Sequence, residues 1–524
     1  MWAWGCVERV ATGLLGAHGG GRWNTAVAVG VTAAAGIALV AIIVTSRRGG
    51  IKSPWRRRRR KAPLTAPEWR DLFTPEGKLQ DGGVKLLKKV RGGGIEPSIR
   101  AQVWPFLLGV YSLDSSEAER DAVKAQNRKG YLLLRKHCLR RSAYSVEESK
   151  QNTDETARDN HDGSTSPNKE QEVQDDTSET NPEHIKDKHS SSSSSSSSEE
   201  SETSDVTHEE APHKDVPAVH HSSVEDDQES IPRYSTTGGN TENDIELLKA
   251  ARPVKSMKTI EDFETWQRII CLDAVRANDE WVSYSPSQAA VSKEKAIESA
   301  KAVCLKDYEH LEPHRIHHAS RLVAVLEAYA IYDPEIGYCQ GMSDLLAPLL
   351  AVLEEDDEAF WCFAGFMRKA RHNFRLDEAG IRRQLNMVAR IIKYKDFRLF
   401  RHLEMLEAAD CFFVYRMVVV MFRRELTFEQ TLCLWEVMWA DQAANRSGIA
   451  KSSWQKLLLE SPPTDDLLLY AIAASVLQKR KLIIESYSSM DEIIRDCNSM
   501  AGQLDIWKLL DDAHDLVVTL HDRI

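Results

Sequence analysis

Two short motifs carry side chains suited to phosphoryl-transfer chemistry. Arg276 ends the motif Ile270-x-x-Asp273-x-x-Arg276, and Gln340 ends the motif Tyr338-x-Gln340. An arginine can neutralise the charge that develops on a transferring γ-phosphoryl group, and a glutamine amide can hold the attacking water in line with it; together they are worth roughly a thousandfold or more in rate. The pair therefore provides the two groups that a slow nucleoside triphosphatase lacks.

The order of these motifs resembles the TBC domain, the family of Rab GTPase-activating proteins. Further similarity lies in residues 94–109 and in residues 336–346. The resemblance is to the plant and fungal branch of the family, which carries a long insert after its first motif. It covers roughly residues 85 to 142 and 246 to 515.

The resemblance implies a function in trans on a GTP-bound Rab partner, in the regulation of vesicle trafficking. Arg276 is then an arginine finger, and Gln340 is a second finger that takes over the water-positioning task of the Rab's own glutamine. Tyr338 is a packing or switch-contacting residue. The chain has no Gly-x-x-x-x-Gly-Lys-Ser/Thr motif, so we expect no cofactor of its own. The GTP and the Mg²⁺ belong to the Rab.

Spacing on a helix predicts how the first finger is held. Ile270, Asp273 and Arg276 recur at every third position, so Ile270 can anchor the helix while the two polar side chains reach a rim. Asp273 lies one turn before Arg276, and we expect the two to form an ion pair. The alternative from the residues alone is an ordinary surface Asp–Arg pair.

Glycines flank the second finger. Gly337 and Gly341 permit a close backbone approach around Gln340, and Pro334 indicates a preceding turn. We expect Asp344 to support Gln340. Without the family resemblance, Gln340 reads as an ordinary loop residue.

Two other segments resemble family motifs that pack the domain. In the first, residues 94–109, we expect Arg100 and Trp104 to pack the N-terminal helices. The later one spans residues 411–426 and includes Arg416, Arg423, Arg424 and Glu425, although Met417 stands where the family commonly has Trp. This departure leaves both fingers untouched.

Histidines and cysteines offer two further chemistries, which we consider weaker. His310, His314, His317 and His318 have ligand-like spacing, but Pro313 would interrupt the helix that they need. A thiol nucleophile at Cys339 has nothing to orient a base. The nine cysteines form no Cys-x-x-Cys pair, which suits a reducing compartment. We expect no metal site.

The N-terminal region contains a candidate transmembrane helix at residues 25–45, after a tail at residues 1–24. It is apolar and long enough to cross a bilayer. The basic linker at residues 46–84 follows it, and its cluster Arg56–Lys61 favours anionic headgroups. By the positive-inside rule, we expect the main body to face the cytosol. The sequence does not distinguish an endomembrane from the plasma membrane. For residues 25–45 the alternatives are a cleaved or targeting segment, a peripheral segment or a gene-model extension. For the cluster Arg56–Lys61 they are a nuclear localisation signal or a solvated charge run.

Composition separates a long insert from the folded body. Residues 143–241 carry 24 acidic and 7 basic side chains, and nine consecutive serines run from Ser190 to Ser198. Such a segment cannot bury enough apolar area to offset its chain entropy, so residues 143–245 should be disordered. The acidic balance of the whole chain, with a net charge of -11, does not favour nucleic acid.

Apolar residues recur at helical spacing on both sides of the insert, as at residues 345–353, 381–392, 412–422 and 428–439, and alternating strand patterns are nearly absent. The sequence therefore predicts an all-α fold, a two-lobed helical TBC-type domain formed by residues 85–142 and 246–515, with a tail at residues 516–524. Two rival functions keep this fold: a non-catalytic Rab-binding scaffold, and a membrane adaptor that works through its phosphorylatable insert.

Overall fold

Helices form nearly all the regular structure of residues 62–159, 260–375, 377–449, 462–520 and 523–524, which are the residues that the computed structural model describes. No β-strand occurs in these ranges, which contain only the isolated bridges Leu64–Ile95 and Phe73–Leu79. The predicted all-α fold is therefore confirmed. The α-helices are, in chain order, α1 Ala66–Asp71, α2 Val84–Gly93, α3 Arg100–Leu107, α4 Glu117–Asp159, α5 Ile260–Val275, α6 Pro286–Ala289, α7 Lys293–Ala302, α8 Pro313–Tyr332, α9 Met342–Val352, α10 Asp356–Ala370, α11 Ala379–Lys395, α12 Phe397–Met405, α13 Tyr415–Val419, α14 Phe428–Arg446, α15 Leu467–Gln478, α16 Arg480–Ser486, α17 Met490–Asn498 and α18 Ile506–Leu520.

Several predicted features lie outside the described residues. They are the candidate span at residues 25–45, the cluster Arg56–Lys61 and most of the insert. Within the described ranges, no helix is both long enough and apolar enough to cross a bilayer. The apolar run at the start of α15 is core, as its length predicts, since Leu467–Val476 is buried throughout.

Helix α4 extends further than the predicted domain boundary. It continues past residue 142 to Asp159, into the segment that we expected to be disordered. Residues 143–159 contain no glycine or proline and include Glu, Lys, Arg and Ala, which have good helix propensity. A polar sequence can therefore still be helical. The predicted boundary and the expected disorder of residues 143–245 stay predictions.

The helices before and after the insert form one compact unit. The described residues within 62–148 and 260–524 belong to this unit, whereas residues 149–159 belong to a second unit. In the first unit α2 and α3 pack against α14, where Trp104 and Trp439 meet edge to face with ring centroids 5.3 Å apart. Both rings are fully buried. The division of the domain into two lobes stays a prediction.

Buried charges join the N-terminal helices to α14. Glu436 accepts hydrogen bonds from Arg100 Nε at 2.8 Å, from the Trp104 indole at 3.1 Å and from the Ile95 amide at 3.2 Å. Arg91 pairs in the same way with Asp441, and both side chains are buried. The expected packing role of Arg100 and Trp104 is confirmed. These polar groups thus satisfy one another where water does not reach, which fixes the register of segments more than 300 residues apart.

A second buried carboxylate joins the two helices that border the insert. Glu327 on α8 accepts from Arg135 of α4 at 2.8 Å and from Gln267 of α5 at 2.7 Å. Gln267 also donates to Ser142 Oγ at 3.0 Å. Both α4 and α5 therefore contact the Glu327 side chain, and this contact fixes the position of α5.

Glu436→Ala should lower the free energy of unfolding by about 3–5 kcal/mol, because it leaves three buried donors, Arg100 Nε, the Trp104 indole and the Ile95 amide, without their acceptor. Glu429→Ala is the matched control. Glu429 also pairs with Arg100, but its side chain is 39% exposed, so water can replace it and the cost should be about 1 kcal/mol or less. Urea unfolding followed by circular dichroism measures both. Equal losses in the two variants would contradict a buried carboxylate that fixes α14 to the N-terminal helices.

Candidate functional site

Helix α5 positions Arg276, the predicted first finger; Gln340 is the predicted second. The helix ends at Val275, and the Arg276 amide still donates to the Leu272 carbonyl at 3.3 Å. Ile270 is fully buried and anchors the helix as expected, whereas Arg276 is exposed. The Arg276 side chain has no hydrogen bond or ion pair to any residue that the structure describes. Its guanidinium is free to meet another molecule.

The expected ion pair between Asp273 and Arg276 is wrong. Asp273 instead accepts hydrogen bonds from the Tyr338 hydroxyl at 2.7 Å and from Gln340 Nε2 at 3.5 Å. Tyr338 is buried, and this burial raises the pKa of its hydroxyl far above the ordinary value of 10, so the group remains a donor. One carboxylate therefore connects the helix that carries the first finger to the loop that carries the second.

Glycines shape the second-finger loop, as the sequence predicts. Gly337 has a φ of +64°, and a Cβ there would lie 2.2 Å from the Trp266 ring on α5. Gly341 has a φ of +101° and is the N-cap residue of α9. Both positions require glycine, since a side chain would meet strain or a ring. Gln340 consequently sits, exposed, immediately before the start of a helix.

Ion pairs hold the base of this loop. Arg371 makes a bidentate pair with Asp333, at 2.9 and 3.0 Å, and also binds Glu335 at 2.9 Å. Arg375 binds Glu335 from the other side at 2.7 Å. Sequence reasoning missed these residues. The one signal in the sequence is the acidic Asp-Pro-Glu before the glycine, and nothing there identifies two arginines about forty positions later as its partners.

The segment after Arg276 is held by α8. Arg315 donates to the Ala277 carbonyl at 3.1 Å, and the buried Trp281 ring stacks on His318 with centroids 4.4 Å apart. His317 meets Ser299 at 3.1 Å. The helix begins at Pro313, so His310 lies outside it. His318 therefore packs against the segment after Arg276 and His317 contacts α7. No group of three or more His, Cys, Asp or Glu that could hold a metal occurs among the described residues.

Cys339 has a packing contact in place of a catalytic one. Its thiol donates to the Phe374 carbonyl at 3.4 Å, and its amide meets Met342 Sδ at 3.3 Å. The thiol therefore lies against the Phe374 backbone. The arrangement favours a structural role for Cys339 within the loop.

The predicted helical run over residues 412–422 is wrong in its last three residues. A 3₁₀ turn and the short α13 end at Val419, and Met421 and Phe422 then take the left-handed region with φ values of +49° and +63°. Each such residue costs of order 1–3 kcal/mol. Both side chains are buried, and the Trp435 indole donates to the Met421 carbonyl at 2.9 Å. These contacts hold the left-handed backbone in place, and the apolar periodicity of the sequence does not predict it.

Two consecutive arginines follow this turn. Arg424 binds Asp344, in the first turn of α9, at 2.8 Å. Asp344 thus contacts Arg424, and the support of Gln340 by Asp344 stays a prediction. Arg423 binds Glu280, four residues beyond Arg276, at 3.0 Å. The turn therefore touches the neighbours of both fingers.

The fold and the site define an all-α protein that presents an exposed guanidinium and an exposed amide on two adjoining segments over a buried framework. Both groups donate hydrogen bonds, and the guanidinium is a permanent cation. Such a pair can reach an anionic group and a water molecule held by another protein.

Comparisons with known proteins give the family. The Rab-GTPase-TBC domain model, RabGAP-TBC, matches residues 263–451. Rab GTPase-activating protein 22 of Arabidopsis thaliana is 56% identical over 481 residues, or 92% of this chain and 85% of that protein. GTPase-activating protein GYP7 of Yarrowia lipolytica is 32% identical over 193 residues, 37% of this chain and 24% of that protein. Among solved structures, the Ypt/Rab-GAP domain of Gyp1p aligns with 49% of this chain and 81% of its own, at 15% identity and a TM-score of 0.33.

The sequence matches suffice for the assignment. The chain belongs to the Rab-GTPase-TBC domain family. The resemblance stated from the motifs around Arg276 and Gln340 is thereby confirmed.

The packing role of His318 predicts a pH dependence of stability. Burial, assisted by the nearby Arg321, lowers the pKa of His318 from 6.5 to about 3. Its contribution is therefore complete above pH 6.5 and is lost as the pH falls toward 3, because only the unfolded chain binds the proton there. We expect His318→Phe to reduce the slope of unfolding free energy against pH by up to about 1.4 kcal/mol per pH unit. Thermal unfolding between pH 7 and pH 4 measures it.

The control for this prediction is His310→Phe, since His310 is exposed and precedes the helix. Its slope should equal that of the unmodified chain. An unchanged slope in His318→Phe would show that the buried imidazole does not titrate on unfolding.

Proposed function

We propose that this chain is a GTPase-activating protein for Rab-family small GTPases, and that it supplies Arg276 and Gln340 in trans to Rab-bound GTP and Mg²⁺. The observation that supports this most is the contact of Asp273 with Tyr338 and Gln340 at the end of the helix that presents Arg276. The names of both protein relatives, which are GTPase-activating proteins, agree with it.

Arg276 has the properties that a finger needs. Its guanidinium stays charged at any physiological pH and offers several donors in a fixed plane. Placed between the β- and γ-phosphates, it stabilises charge that is larger in the transition state than in the ground state, so it raises the rate and not only the affinity. Its exposure lets it enter the nucleotide site without first breaking an ion pair.

Gln340 has a complementary task. Its amide can donate to one group and accept from a water at the same time, which orients that water for in-line attack. The long contact of 3.5 Å with Asp273 restrains the side chain without saturating it. The restraint reduces the rotamer entropy that is lost when the water is bound.

The test is single-turnover GTP hydrolysis by a panel of purified Rabs with and without the chain. Arg276→Ala and Gln340→Ala should each lower the stimulated rate by about a hundredfold or more, because each removes a group used in the transition state. Arg382→Ala and Gln503→Ala, both exposed and outside the site, should leave the rate unchanged.

Binding of the same Rabs, loaded with a non-hydrolysable GTP analogue, separates the rival scaffold function. A catalytic activator loses rate in the finger variants while it still binds. Retained binding with unchanged hydrolysis in both finger variants would leave a binding protein and remove the two-finger mechanism.

We also propose that the chain is held at a membrane, with its helical domain in the cytosol, by residues 25–45 and the basic cluster Arg56–Lys61. The support is the sequence itself: a run without charge, followed by clustered cations that favour the cytoplasmic side. Tethering would raise the local concentration of the domain near membrane-bound partners.

Extraction of cell membranes tests the tether with the full chain. A spanning segment should stay in the pellet after alkaline carbonate, whereas a peripheral one is released. Changing Arg56–Arg60 to glutamine should leave resistance to carbonate extraction intact. The fraction of molecules whose helical domain faces the cytosol should fall, and protection of the domain from added protease measures this fraction. Complete release of the unmodified chain would exclude a span.

A further inference from the structure

We propose that Arg423 and Arg424 are positioning residues that set the separation between Arg276 and Gln340. The inference rests on the proposed function and extends it to residues that need not touch the nucleotide. The two arginines are adjacent in sequence, yet their ion pairs go to different finger segments.

The first pair acts on the Arg276 side. Arg423 binds Glu280 at 3.0 Å, and Glu280 belongs to the segment that runs from Arg276 to the buried Trp281. The arginine side chain is 7% exposed and the glutamate side chain 52% exposed. Arg423 also lies over the Phe428 ring, 5.5 Å from its centroid. The cation is thus fixed by its surroundings, and the pair restrains the more exposed Glu280 against it.

The second pair acts on the Gln340 side. Arg424 binds Asp344 at 2.8 Å, and Asp344 lies in the first turn of α9, which begins two residues after Gln340. The hydrogen bond with Asp344 raises the pKa of Arg424, and the nearby Asp273 adds to the effect. Arg424 therefore faces the carboxylate that binds Gln340 as well as the helix that follows it.

The backbone between these contacts is stiff. The left-handed Met421 and Phe422 are buried and immediately precede the arginines, and the Trp435 indole of α14 holds the turn. The Val420 side chain packs near Gly341, 3.2 Å from where a Cβ would stand. The turn thus rests on α14 below and against the second-finger loop beside it. Its two arginines can transmit that fixed position to both fingers.

Loss of either ion pair should affect the rate of stimulated GTP hydrolysis. Misplacement of a reacting group by about 1 Å can cost up to a hundredfold, so weakening either pair should lower the saturated rate of stimulated hydrolysis. A residue that only contacts the Rab would instead change affinity. A residue that acts through one finger should lose its effect when that finger is absent.

Crossed double variants test this on the full chain, with the Rab that responds in the panel. Glu280→Gln and Asp344→Asn remove one charge each with little change of shape. Each should lower the saturated single-turnover rate by about three- to tenfold. The loss from Glu280→Gln should disappear in the Arg276→Ala background and persist in Gln340→Ala, and the loss from Asp344→Asn should show the reverse pattern.

Affinity and a conservative change complete the design. Binding to the Rab loaded with a non-hydrolysable GTP analogue should change by less than about twofold, and Arg424→Lys should recover most of the rate lost in Arg424→Ala. Arg382→Ala, whose pair with Glu378 is exposed and distant in sequence from both fingers, is the control.

Three results would overturn the proposal. They are equal losses in both finger backgrounds, a loss of affinity with the saturated rate unchanged, and no loss in either charge variant. The proposed function fails separately, because it requires a loss of rate in Arg276→Ala and Gln340→Ala themselves. A finger loss without the crossed pattern keeps the function and removes only the positioning role.

Discussion

The carboxylate of Asp273 is the contact on which the site depends. It lies in the last turn of α5 and accepts from Tyr338 and Gln340, so two segments more than sixty residues apart become one surface. Because Tyr338 is buried, its hydroxyl has no water to replace the carboxylate. The tight 2.7 Å bond with Tyr338 fixes the loop, and the long contact leaves Gln340 able to turn toward a new partner.

This arrangement separates rigid support from free tips. Buried contacts hold both approaches to the site, through Arg315 and Trp281 on one side and Arg371 on the other. The side chains of Arg276 and Gln340 themselves stay exposed. An arginine already paired with Asp273 would have to break that pair before it could enter a nucleotide site, whereas the observed Arg276 has only side-chain entropy to lose. Free tips on a fixed base therefore suit a group supplied to another protein.

Sequence reasoning located the parts of the site better than their contacts. The resemblance of the motifs to the family singled out Arg276 and Gln340 as candidates, and residue type alone predicted the glycines on both sides of Gln340, which the backbone requires. Helical periodicity likewise predicted α9, α11 and α14. It paired Asp273 with the wrong residue because one turn of helix makes that pair possible, while its true partner comes from a distant loop. It also ran a helix through Met421 and Phe422, since an apolar pattern carries no information about a left-handed backbone.

The insert can be long because its two ends are fixed by folded contacts. Ser142 on α4 and Gln267 on α5 are 125 positions apart and hydrogen-bonded, and both helices meet at Glu327 on α8. Lengthening a loop tenfold costs only about 2 kcal/mol of closure entropy, which is less than the loss expected from breaking one buried ion pair. The helix that receives the returning chain is α5, which also carries Asp273 and precedes Arg276. The Glu327 contacts therefore fix the position of α5 ahead of the residues that form the candidate site.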